Sequence, residues 1–210
     1  IFKQWLSRSL ILRPVPALIN GESDQETLEL QSQGINFGAW FSGILALAPR
    51  AYAQIDKYAS QVMPDFQEIR NPIVGKDSRS LEVSFSKDRA SLTIPFGELS
   101  DGEKCFMICA LVLAANHAYG PLFCFWDEPD NYLAVDEVGH FVIALRKAFQ
   151  NGGQFLATSH NPEAIRRFSP ENTLLLHRRS HLDPTVVRRA EDLPISGDLI
   201  AALVRGDVEP

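Results

Sequence analysis

The segment Leu122-Phe-Cys-Phe-Trp-Asp127-Glu128-Pro129 sets the tightest limit on what this chain can fold into, because an apolar run ends abruptly in two adjacent carboxylates. The run from Pro121 to Trp126, bounded by Gly120 and Pro129, fits a strand buried on both faces of a parallel sheet. Acids have no place inside such a layer. Asp127 and Glu128 therefore emerge at its carboxyl end, the edge where ligands bind in open α/β sheets. One carboxylate there can hold Mg²⁺, largely through its waters and alongside phosphate oxygens. The other is free to orient or deprotonate a water. For a bare run of this kind, a strand end with two solvated acids is an equally good account, so the weight falls on its surroundings.

Upstream, Ser100-Asp101-Gly102-Glu103 has the spacing of a capping box, with Ser100 as N-cap and Glu103 at N3, ahead of an apolar helix from Phe106 to Ala118. A cap accounts for these residues by itself. A helix N-terminus with a glycine that permits close approach is also a ready anion site, and both roles fit one geometry.

Downstream, Gln154 to Thr158 is a second short apolar run after Gly152-Gly153, and His160 follows it. Between the two runs, Val135 to Gln150 carries Val138, Phe141, Val142, Leu145 and Phe149 on one helical face. Strand, helix and strand then form a crossover that puts both strands in one parallel sheet. Asp127, Glu128 and His160 are expected at the same sheet edge. A lone histidine is more often structural, but one at a strand tip beside paired acids suits a phosphate or water contact.

Taken together, LSDGEK (Leu99 to Lys104) resembles the ABC signature, LFCFWDEP resembles Walker B with its catalytic glutamate, Asn131-Tyr-Leu133 stands where a D-loop belongs, and ATSH (Ala157 to His160) resembles the switch-histidine loop. In order and spacing the chain resembles ABC-type ATPases over roughly Leu81 to His177. Within them it is most similar to the soluble "AAA family" ATPases related to SMC, RecF-type and OLD-type proteins, rather than to transporter subunits. The resemblance implies an α/β, P-loop NTPase-like sheet with flanking helices and a partly helical insertion lobe. It implies that Asp127 coordinates Mg²⁺, Glu128 polarises the attacking water and His160 contacts the γ-phosphate of ATP. Ser100, Gly102 and Glu103 would reach a nucleotide held by a second subunit, and Asn131 and Leu133 would serve the D-loop. An ATP-dependent homodimer, cytoplasmic and engaged in DNA repair or phage defence, is the implied assembly; a separately encoded effector is a further implied partner.

Two departures stand out. The aspartate that closes the D-loop pattern is Ala134 here, and no GxxxxGK[ST] occurs, Gly75-Lys76 being the only Gly-Lys pair. Without such a loop there is no cradle for the α and β phosphates. The chain opens at Ile1 rather than Met, so the expectation is a carboxyl portion of a longer protein, with Walker A upstream and this portion inactive alone. A degenerate ATPase fold serving as a nucleic-acid or protein-interaction module is the alternative.

Composition agrees with a globular, ordered chain: 45% of its 210 residues are hydrophobic and 22% charged, enough for one substantial core. No apolar run reaches membrane-spanning length. Cys105, Cys109 and Cys124 read as small core residues, since an odd number without C-x-x-C spacing fits neither a disulfide frame nor zinc. The net charge of −6 is no nucleic-acid footprint overall. The pairs Arg166-Arg167, Arg178-Arg179 and Arg188-Arg189, with His177 and His181, could line a basic surface for DNA or RNA, and solvated faces explain them at least as well. A nuclease using Asp127 and Glu128 directly leaves LSDGEK and His160 unexplained.

Residues 1–75 are expected to be the insertion lobe and 76–210 the lobe bearing the motifs. Phe2 to Leu12 reads as a helix, Pro14 to Asp24 as a loop, and Gly34 to Val62 as two helices broken near Pro49. Ser80 to Phe85 and Ser91 to Ile94 alternate like a hairpin. Thr185 to Arg189 reads as an edge strand and Leu199 to Val204 as a closing helix. No internal repeat is visible.

Overall fold

The computed structural model of the chain describes residues 2–193 and 198–205. In chain order the elements are α1 (Phe2–Leu6), β1 (Ser9–Leu12), β2 (Glu22–Ser23), α2 (Phe37–Leu47), α3 (Ala51–Val62), β3 (Phe66–Arg70), β4 (Arg79–Ser80), β5 (Glu82–Lys87) and β6 (Ala90–Pro95). They continue with α4 (Asp101–Tyr119), β7 (Phe123–Trp126), α5 (Val135–Phe149), β8 (Gln154–Ala157), α6 (Pro162–Phe168), β9 (Leu174–His177), β10 (Val186–Arg189) and α7 (Leu199–Arg205). The chain divides into two compact units, one running to Thr158 and one beginning at Ser159.

The first unit is organised by α4. Its residues are buried nearly all round, from Lys104 through Ala115, as befits a helix with apolar neighbours on every side. It packs against α3 on one flank and against α5 on another. As the capping box implies, the helix starts at Asp101, directly after its N-cap Ser100.

Beside α4 lies a three-stranded parallel sheet in the order β1-β7-β8. The expected crossover is present, with α5 joining the parallel neighbours β7 and β8. Trp126 is fully buried and meets Phe141 of α5 edge to face at 5.5 Å, a pair arrangement that adds about 0.5–1.5 kcal/mol beyond area burial.

Two expectations need correction here. The stretch Phe2 to Leu12 is not one helix: α1 stops at Leu6, and Ser9–Leu12 runs as a strand in register with Phe123–Trp126. Pairing with β7 supplies backbone hydrogen bonds that local helical spacing could not match, and it buries Leu10 and Leu12 on one face of the strand. Nor is β7 buried on both faces. Cys124 and Trp126 are buried, while Phe123 and Phe125 on the other face are half-exposed, flanked in register by Ile11 at 60% and Leu156 at 48% exposure.

The remaining expectations for residues 34–95 hold in outline. Helices α2 and α3 break across Ala48 to Arg50 around Pro49, and β5 and β6 form the hairpin, turning at Asp88, whose φ of 56° is left-handed. The sequence reading missed β3, which extends the hairpin to an antiparallel sheet β3-β5-β6, and the two-residue pair β2-β4. A 3-10 turn at Pro16–Leu18 interrupts the expected loop.

In the second unit, α6 is followed by the antiparallel hairpin β9-β10, and α7 contacts α6. The edge strand expected from Thr185 is Val186–Arg189, and its partner β9 was not anticipated.

Candidate functional site

Strand β7 ends at Trp126, so Asp127 and Glu128 stand at the carboxyl edge of the parallel sheet. The Asp127 N–H donates to the Leu12 carbonyl at 2.8 Å, which carries the β1-β7 ladder one residue beyond the strands. Glu128 follows with a φ of 49°. A side chain in that left-handed region costs about 1–2 kcal/mol, and its hydrogen bonds hold it there.

One of them is made with Thr158, the residue just past β8. The Thr158 N–H donates to the Trp126 carbonyl at 3.2 Å. Its hydroxyl donates to Asp127 Oδ1 at 2.6 Å and accepts from the Glu128 N–H at 3.0 Å. One hydroxyl thus fixes an oxygen of the first acid and the backbone of the second. Asp127 Oδ2 lies 3.5 Å from Arg13 Nε. On the other side, the Asn131 amide donates to Glu128 Oε2, and the Asn131 N–H donates to the Glu128 carbonyl at 3.3 Å. Leu133 N–H closes the next turn on the Asp130 carbonyl at 3.1 Å.

These groups border a cleft of about 340 Å³ lined by Arg13, Val15, Cys105, Trp126, Asp127, Glu128, Asn131 and Tyr132. Cys105 offers no nucleophile to it, since burial pushes its thiol up to about 12.

The expected capping box is complete. Ser100 N–H donates to Glu103 Oε2 at 2.7 Å, and Glu103 N–H donates to Ser100 Oγ at 3.3 Å. Glu103, expected to serve a nucleotide in trans, spends a carboxylate oxygen on this cap. A Cβ on Gly102 would sit 3.0 Å from the Tyr132 carbonyl, so glycine lets the first turn of α4 approach the Asn131–Leu133 turn. Signature-like and D-loop-like residues are therefore neighbours within one chain. Ala134 is the N-cap of α5 and has no side-chain oxygen; its N–H donates to Glu137 Oε2 at 2.8 Å.

His160 is the second residue of the second unit, ahead of α6, where Asn161 caps the helix by accepting from the Glu163 N–H at 2.9 Å. Of the arginine pairs, one lies on α6 and the other two on or beside the β9-β10 hairpin. Arg166 and Arg167 both bond to Glu163, and hydrogen bonding by Arg167 is the main cause holding that carboxyl below its usual range. Arg189 pairs with Glu191 at 3.0 Å. On the exposed β9-β10 hairpin, Arg188 and Arg189 lie on β10, and Arg178 and Arg179 follow β9.

Sequence reasoning missed Thr158 and Arg13. The first had a usable signal, a hydroxyl residue at the tip of the strand next to the acids. The second was hidden by reading β1 as helix.

Among the described residues, no group of three or more His, Cys, Asp or Glu is arranged to hold a metal by itself. The donors at Asp127, Glu128 and Thr158 are all oxygen, which suits a hard cation that takes a carboxylate and completes its shell with phosphate oxygens and water. No helix among the described residues is long and apolar enough to cross a membrane.

No protein-family model matches the chain. The chromosome partition protein Smc of Chlorobaculum tepidum is 32% identical over 80 residues, which is 38% of this chain and 7% of that protein. Among solved structures, a structure described under ATP-driven dimerization and DNA stimulated activation of SMC ATPases aligns with a TM-score of 0.56 and 15% identity, covering 79% of this chain and 96% of that one. The Smc head domain of Pyrococcus yayanosii, with a coiled coil and joint, aligns with a TM-score of 0.57 and 14% identity, covering 83% of this chain and 32% of that one. The sheet edge bearing Asp127 and Glu128 thus lies in a known architecture: this chain has the fold of SMC ATPase head domains.

Proposed function

We propose that the chain is the carboxyl-side part of an ATPase head that binds and hydrolyses ATP at a head-to-head dimer interface and changes conformation with nucleotide state. The observation that carries this reading is the hydrogen-bonded pair Asp127-Glu128 at the sheet edge, fixed by Thr158 and Asn131 within a fold shared with SMC ATPase heads. Phosphoryl transfer needs mostly positioning and charge stabilisation. Asp127 would hold Mg²⁺, which supplies positive charge to the phosphate oxygens. Glu128, held by the Asn131 amide, aligns the attacking water and accepts its proton. His160 is assigned to the γ-phosphate. Ser100, Gly102 and the N-terminus of α4 are assigned to a nucleotide bound by the partner head, where exposed N–H groups favour an anion.

The loop that cradles the α and β phosphates is assigned to a part of the protein preceding β1. The row of exposed Ile11 and Leu156 around half-buried Phe125 leaves that sheet face open to a further packing element, since parallel sheets are covered on both faces. Turnover is expected from the full-length protein and not from this chain alone. The test is steady-state ATP hydrolysis by the full-length protein beside its Glu128→Gln variant. Loss of turnover by two orders of magnitude or more, on the scale of about 10²–10⁴ for a general base, supports the reading, and unchanged turnover removes Glu128 from the mechanism.

A second reading rests on the β9-β10 hairpin, whose β10 residues are all exposed and which carries Arg178, Arg179, Arg188 and Arg189. We assign it to nucleic-acid backbone. Binding that weakens steeply with salt and is lost in Arg178→Ala/Arg179→Ala supports the assignment; binding indifferent to both removes it.

A further inference from the structure

We propose that Arg13 is an internal counter-ion that competes with the divalent cation for Asp127 and so sets the cation concentration at which the site loads. The inference rests on Asp127 being the cation-holding residue of the proposed ATPase. Asp127 divides its two oxygens: Oδ1 accepts from the Thr158 hydroxyl at 2.6 Å, and Oδ2 faces Arg13 Nε at 3.5 Å. Thr158 is neutral and can keep donating while a cation approaches. Arg13 carries a full positive charge against the same carboxylate, and like charges on one carboxylate disfavour each other.

The backbone makes this placement a built feature. Leu12 accepts from the Asp127 N–H at 2.8 Å, Arg13 N–H donates to the Ser32 carbonyl at 2.7 Å, and Val15 N–H donates to the Gln33 carbonyl at 3.1 Å. The Cα of Arg13 is thereby fixed beside Asp127. Its side chain, in contrast, is 82% exposed, so the guanidinium can leave without unpacking anything. An exposed ion pair is weakly held. That combination suits a charge that yields to a cation. An arginine serving only to brace the fold would lack this freedom.

The sign of the effect separates the two roles. Removing a competitor tightens cation binding, whereas removing a structural brace weakens it or leaves it unchanged. Mn²⁺ binding to the full-length protein without nucleotide is measured by electron paramagnetic resonance, with Asp127→Asn defining the component that depends on this site. Arg13→Gln and Arg13→Ala are each expected to tighten that component by about threefold, the scale of a weak exposed pair, and Arg13→Lys, which keeps the charge, to stay near wild type. Equal or weaker binding in the two neutral variants overturns the proposal, as does the absence of any Asp127-dependent binding in all proteins. ATP turnover by the wild type, measured on the same preparation, reports separately on the ATPase reading.

Discussion

The Thr158 hydroxyl donates to Asp127 Oδ1 at 2.6 Å while accepting from the Glu128 N–H at 3.0 Å, so one side chain sets the geometry of both acids. Thr158→Val keeps the shape and removes both bonds. Loss of an outer partner of this kind commonly costs 10–100-fold, and the full-length Thr158→Val protein is expected to lose about tenfold in kcat. Thr158→Ser keeps the hydroxyl and is expected to recover most of it. Equal loss in both variants points to packing of the threonine methyl instead.

Ser100 is expected to have two separable roles. Ser100→Ala removes the acceptor for the Glu103 N–H and costs about 1 kcal/mol of stability, read as a lower urea midpoint. Ser100→Asp preserves a cap of comparable quality and adds a negative charge where the partner's γ-phosphate is assigned. Its urea midpoint stays near wild type, and its ATP-dependent dimer is lost. A Ser100→Asp protein that dimerises normally with ATP limits Ser100 to capping.

What the sequence made legible was local. The cap at Ser100 and the break at Pro49 each depend on residues a few positions apart, and the crossover from β7 through α5 to β8 follows from three consecutive locally patterned elements. What it concealed was decided at a distance. Ser9–Leu12 becomes a strand because β7, more than a hundred positions later, supplies its hydrogen bonds. Arg13 became invisible with it, and the role of Thr158 depends on the register that sets Trp126 against Ala157. The half-exposed face of β7 could not be read either, since an apolar run looks the same whether one face or two is covered.

Tyr119 links a buried tryptophan to the surface of the first unit. Trp40, fully buried, donates from Nε1 to the Tyr119 hydroxyl at 3.1 Å, and that hydroxyl reaches the Leu28 carbonyl at 3.3 Å. Tyr119→Phe removes the acceptor of a buried indole N–H, at a cost of about 1–3 kcal/mol. Denaturant unfolding checks it; a midpoint equal to wild type shows that the indole finds another partner.

The three cysteines are buried, and burial pushes Cys105 and Cys124 up to about 12 and raises Cys109 as well. Folded thiols therefore hold their protons where unfolded thiols, near 9, release them. Their contribution to stability is whole below about pH 9 and is lost progressively toward pH 12. The urea midpoint is expected to fall between pH 8.5 and about 10.5, and a variant with all three replaced by Ala or Val to fall less. At pH 8, iodoacetamide should label these thiols only in denaturant.

The most direct measurement is the solution mass of the full-length Glu128→Gln protein, by light scattering after size exclusion, with and without Mg²⁺-ATP. A variant that binds ATP without cleaving it is predicted to double in mass with ATP and to return to the protomer on its removal. A mass that is the same with and without ATP, in a protein that demonstrably binds the nucleotide, contradicts the proposal that ATP joins two of these heads.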